Sequence, residues 1–120
     1  MVSVLYVHTN NGELTMNNLE IAQIIIEQLG NGRFAAMTGA KNFVAIKYGL
    51  QFDLPRKTGF VKDGINRIHI ILKANDTYTV KGLKYMPRKM EVKEIASEEM
   101  IYCDMLTDTF EEMTGLYLYL

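Results

Sequence analysis

Between Asn17 and Leu29 the apolar residues Leu19, Ile21, Ala22, Ile24, Ile25, Ile26 and Leu29 recur at helical spacing, leaving Glu20, Gln23, Glu27 and Gln28 for solvent. The pattern predicts a helix capped by Asn17 or Asn18 and closed by Gly30, Asn31 and Gly32. After Gly32 the period changes from 3.6 to 2. Val44, Ile46, Tyr48, Leu50, Phe52 and Leu54 alternate with Ala45, Lys47, Gly49, Gln51 and Asp53, which predicts one eleven-residue strand with a wet face.

Pro55 and residues 56–59 end that strand, and Lys62-Asp63-Gly64 marks a second turn. Ile68, Ile70 and Leu72 then oppose Arg67, His69 and Lys73. Asn75-Asp76 predicts a short hairpin, with Tyr78 and Val80 on the returning strand. Met90 and Val92, alternating with Glu91 and Lys93, give a last short strand. Ser97 followed by Glu98 and Glu99 has the chemistry of a helix N-cap, and Ile101, Tyr102, Met105, Leu106, Phe110 and Met113 form a stripe ending at Thr114-Gly115. The alternating tail LYLYL is expected to dock as an extra strand or strap.

The expected architecture is α+β: an N-terminal helix, a four- or five-stranded mostly antiparallel sheet, and a C-terminal helix, with both helices on one face. A chain of 120 residues, 48% apolar and 22% charged, suits one folded domain. Gly12-Glu13 is encoded by a purine-rich string resembling a bacterial ribosome-binding site just before Met16. Residues 1–15 are therefore expected to be an extension, and 16–120 the single domain. The opening apolar run is too short for a signal core and no later one approaches bilayer length. With Cys103 as the lone cysteine, a cytoplasmic setting without membrane contact is expected.

The net charge of −1 conceals segregation. All 13 lysines and arginines lie between Arg33 and Lys93, a span whose acids are Asp53, Asp63, Asp76 and Glu91; the flanks hold the other ten carboxylates and no lysine or arginine. A basic block in a neutral chain points to a polyanionic partner. Lysines protecting strand edges would produce the same block. On the expected fold, the sheet face away from the helices displays Lys47, Arg67, His69, Lys73, Lys81 and Lys93. Candidate nucleic-acid contacts are Lys41, Arg56, Lys57, Arg67, Lys73, Lys81, Arg88 and Lys89, the last pairs drawn from two Pro-Arg-Lys clusters. Tyr48, Phe52 and Tyr78 fall on the apolar sides of their strands, so a base-stacking platform is not expected.

Other chemistry has little material. Gly30, Gly32 and Ala35 read as G-x-G-x-x-A, but here a helix precedes where a strand should. Gly39-Ala40-Lys41 lacks a P-loop ending, and the stretch GRFAAMTGAKNF is read as a strand corner in which Gly39 and Asn42 take positive φ. An anion contact through backbone amides and Lys41 is the alternative. Cys103 is expected to be a buried, inert helical thiol, and the two histidines fall short of a metal signature. Asp104, Asp108 and Glu111 read as a solvated helix face. No catalytic residue, metal or cofactor is expected; an enzyme would need His69 beside a carboxylate such as Asp53.

The run GRFAAMTGAKNF, with Asp63-Gly64-Ile65-Asn66, Asn75-Asp76-Thr77-Tyr78, Tyr102-Cys103-Asp104-Met105-Leu106 and FEEMTGLYL from Phe110, resembles a family of small uncharacterised bacterial phage, prophage and mobile-element proteins. The resemblance spans about Asn17 to Leu118 and implies genes that handle or defend mobile DNA. It carries no catalytic residue. The leading expectation is a non-enzymatic accessory protein contacting DNA or RNA through the basic sheet face. The alternative is a module or inhibitor that binds a host or phage protein through acidic helices from Glu94 to Glu112 and the apolar tail. A homodimer is compatible with either.

Overall fold

The computed structural model describes residues 7–8, 14–15, 17–55 and 61–116. Two short strands, β1 (Val7–His8) and β2 (Leu14–Thr15), pair antiparallel and precede helices α1 (Asn18–Leu29) and α2 (Gly32–Thr38). Strands β3 (Lys41–Ile46), β4 (Gly49–Asp53), β5 (Arg67–Leu72), β6 (Tyr78–Met86) and β7 (Glu91–Ile101) follow, then α3 (Leu106–Thr114). The five form one antiparallel sheet in the order of the chain, so every connection joins neighbours. The fold is α+β, as expected. Among the described residues no helix is long and apolar enough to cross a membrane.

Helix α1 forms where its apolar stripe and cap predict it. Asn17 Oδ1 accepts from the Glu20 amide at 2.8 Å, and Gly30 leaves the helix at φ +116°. Three departures from the sequence reading follow, each with a physical cause.

Residues 32–38 are helical, and the expected strand corner shrinks to Gly39 and Ala40. Phe34 draws this turn into the core: its ring meets Phe52 and Phe110 edge-on at 5.4 and 5.0 Å. Gly39 and Asn42 do take positive φ, at +76° and +58°, with a register shift between Lys41 and Val44.

The eleven-residue strand is instead a hairpin. Lys47 and Tyr48 make its two-residue turn, with Tyr48 at φ +59° and its amide donating to Asn18 Oδ1 at 2.8 Å. A two-residue turn reverses the parity of what precedes it. Ala45 therefore lies opposite Leu50 and Val44 opposite Gln51, so Val44 is half exposed and Tyr48 lies at the surface rather than on a core face. Gly49 is required here, because a Cβ would stand 2.2 Å from the Ile70 carbonyl oxygen.

Ser97 caps no helix. Residues 97–101 belong to β7, and α3 begins only at Leu106. Pairing with β6 overrides the local capping chemistry, and a second register shift opposes Thr79 with Glu99 and Met100, the latter at φ +59°. Cys103 sits exposed in a short 3-10 turn with Asp104, not buried in a helix. Gly115 ends α3 at φ +77°, and the last four residues of the LYLYL tail lie outside the described residues.

One core unites these elements. Leu50, Phe52, Ile68, Ile70, Tyr78 and Val80 point to one side of the sheet and join Ile21, Ile25 and Leu29 of α1 with Leu106, Phe110 and Met113 of α3. The buried Tyr78 donates its hydroxyl to Gln28 Oε1 at 2.7 Å, tying β6 to α1. Gly82 leaves room for α3: a Cβ there would stand 2.8 Å from Ile65 Cδ1 and 3.0 Å from Met113 Sδ.

Candidate nucleic-acid interface

The register sets out the outward face of the sheet in rows. One row runs Lys41, Asp53, Arg67, Leu83, Glu94; the next runs Val44, Gln51, His69, Lys81, Ser97. Two of the candidate cations meet carboxylates there. Arg67 Nε donates to Asp53 Oδ1 at 2.9 Å, with both side chains about four-fifths buried, and the Arg67 guanidinium lies over the Tyr85 ring at 4.3 Å. Asp53 Oδ2 also accepts from Asn42 Nδ2 at 3.0 Å. Lys81 Nζ lies 3.4 Å from Glu94 Oε1.

The charge segregation of the sequence is thus undone at the centre of the sheet. Strand β7, drawn partly from the acidic flank, lies against the basic β6. Between these ion pairs, His69 Nε2 and Gln51 Oε1 are 2.8 Å apart. Burial, with the positive charges of Arg67 and Lys81, pushes the His69 pKa below its ordinary 6.5. Among the described residues its hydrogen-bond partner is Gln51, while Asp53 is bonded to Arg67 and Asn42.

Lys41 is exposed and borders a cleft of about 300 Å³ with Asn42, Asp53, Leu54, Asn66 and Tyr85. Lys73 follows the far end of β5, beside an apolar depression of about 420 Å³ containing Thr77, Thr79 and Met100. Arg56 and Lys57 lie outside the described residues.

Arg88 and Lys89 occupy a different kind of surface. Leu83 is the last β6 residue with a partner on β5, opposite Arg67; beyond it only β7 pairs with β6. Residues 84–93 therefore form a two-stranded ribbon that runs past β5. A four-residue turn closes it, with the Lys89 amide donating to the Met86 carbonyl and the Met90 amide to the Pro87 carbonyl, both at 3.2 Å. At its root Asn66 acts as one further rung. Its Oδ1 accepts from the Tyr85 amide at 2.6 Å and its Nδ2 donates to the Tyr85 carbonyl at 2.9 Å.

Lys84, Arg88, Lys89 and Lys93 stand on this ribbon against the single carboxylate of Glu91, all five exposed. Among the described residues none of the four cations is in an ion pair. Register shifts in β7 place Lys93 opposite Lys84, on the side away from Tyr85 and Val92, so it leaves the expected sheet-face cluster. Lys47 leaves it too, for the β3–β4 turn. The sequence reading names Arg88 and Lys89 as contacts, omits Lys84 and places Lys93 on the sheet face; the signal for the ribbon is the alternation Leu83-Lys84-Tyr85 before the Pro87 turn, matching that from Met90 to Lys93 after it.

The chain matches no protein-family model, no curated protein and no solved structure.

Proposed function

We propose that this is a non-enzymatic accessory protein that contacts nucleic acid through the basic β6–β7 ribbon rather than through the centre of the sheet. The mobile-element setting implied by the sequence resemblance belongs to the same proposal. The observation that carries it is the direct opposition of Lys84 and Lys93. Like charges facing each other across a ladder destabilise it, and here they stand beside Arg88 and Lys89 with no acidic partner among the described residues. A phosphate backbone would relieve that repulsion and release counterions. Arg67 and Lys81, already paired, serve the sheet.

Fluorescence anisotropy with labelled duplex and single-stranded oligonucleotides at about 50 and 200 mM salt tests the reading. Binding should weaken steeply with salt, and Arg88→Ala with Lys89→Ala should reduce the log–log salt slope by about 2. Absence of binding to every oligonucleotide at the lower salt would refute it.

A second reading has its own observation. Strand β7 is an eleven-residue sheet edge carrying exposed Val92 and Met100 among Glu91, Glu94, Glu98 and Glu99. Such an edge can receive a strand from a protein partner. The first half of the acidic surface assigned from sequence to a helix is this edge. A partner protein that remains bound in stoichiometric amount after nuclease treatment would favour this reading over the first.

A further inference from the structure

Resting on the nucleic-acid reading, we infer that the ribbon's target is B-form duplex DNA and that Met90 is a wedge that unstacks a base step and bends the duplex. Met90 is 86% exposed, in a turn where its backbone takes φ +52°. Both features are unfavourable for methionine: a left-handed position suits glycine or asparagine, and a loop tip suits a polar side chain. Nothing in the fold calls for an apolar side chain there. Unstacking does, since proteins that kink DNA insert Met, Pro, Leu, Ile or Phe between base pairs.

The surroundings fit that task. Pro87 and the two turn hydrogen bonds hold the tip, Arg88 and Lys89 precede Met90 directly, and Lys93 follows three residues later. Past Tyr85, whose backbone Asn66 still holds, Met86 and the four-residue turn carry the tip beyond the body of the sheet. Wedges of this kind enter DNA through the minor groove and bend the duplex toward the major groove, whereas the minor groove of A-form RNA is wide and shallow and is recognised by shape and 2′-hydroxyl contacts.

The experiment uses the full chain and a duplex of about 30 bp with a fluorophore at each end, which reports binding by anisotropy and bending by energy transfer. The wild type should bind and shorten the end-to-end distance, consistent with a bend of roughly 20–90°. Met90→Ala should bind within about threefold yet leave the duplex straight, Met90→Leu should restore the bend, and RNA of the same length should bind at least about tenfold more weakly. Tight DNA binding without bending, unchanged bending by Met90→Ala, or equal affinity for duplex RNA would overturn the inference and leave the proposed function standing. No binding to any nucleic acid would overturn both. Circular dichroism and thermal melting of both variants report whether the fold is retained.

Discussion

Lys84 and Lys93 face each other across the β6–β7 ladder at the point where the sheet narrows to two strands. Replacing one by an acid turns a repulsive cross-strand pair into an attractive one. Lys93→Glu should raise the free energy of unfolding by about 0.2–1 kcal/mol while weakening oligonucleotide binding. Urea unfolding and anisotropy on the same preparation check the two together. A variant that binds as well as the wild type would remove Lys93 from the interface.

Asn66 makes both of its side-chain hydrogen bonds to the backbone of Tyr85. Asn66→Ala should cost about 1–3 kcal/mol and speed amide exchange at Tyr85 more than at Ile70 in the sheet centre. Uniform acceleration throughout the sheet would show that Asn66 has no special role at the ribbon's root.

Two glycines should respond in opposite directions. Gly49→Ala drives a methyl group against the Ile70 carbonyl and is expected to destabilise by more than about 3 kcal/mol. Gly32, in the first turn of α2, has no atom within 4 Å of an added Cβ, so Gly32→Ala should stabilise by about 0.4–1 kcal/mol. Thermal melting of the two variants decides both.

The His69 imidazole is held neutral by burial and by the neighbouring Arg67 and Lys81. A pKa below its unfolded value means that the unfolded chain takes the proton first. The His69 contribution is therefore fully present above about pH 6.5 and is lost as pH falls through the folded pKa. The urea midpoint should drop across that window, and His69→Gln should flatten the drop. An identical pH profile in the variant would assign the acid sensitivity to other groups.

Tyr78 should titrate late. Burial raises its hydroxyl pKa above the ordinary 10. An absorbance titration of Tyr78→Phe should lose the most alkaline phenolate step, and stability should fall by about 0.5–1.5 kcal/mol.

What the sequence disclosed divides along a physical line. Helix α1 was legible because its cap, stripe and glycine exit are local, and the β5–β6 hairpin because Asn75-Asp76 marks its turn. The β3–β4 hairpin was hidden because apolar alternation continues through Lys47 and Tyr48, so nothing marks the reversal that moves Val44 outward. The start of α3 was misplaced because Ser97-Glu98-Glu99 carries genuine capping chemistry that pairing with β6 overrules. In the candidate interface, the Pro87-Arg88-Lys89 cluster was legible as a cationic turn, and the structure has it exposed between β6 and β7. The pairing of Arg67 with Asp53 and of Lys81 with Glu94 was not, since those partners sit on other strands and only the register joins them.

The β6–β7 ladder is also the longest among the described residues, and four residues close it. A contact that needs so little chain to loop back forms on the microsecond scale and loses little entropy in closing. This meander therefore offers a nucleation site on which β5 and then the β3–β4 hairpin can dock, so assembly would proceed from the carboxyl-terminal half of the sheet toward the amino-terminal half.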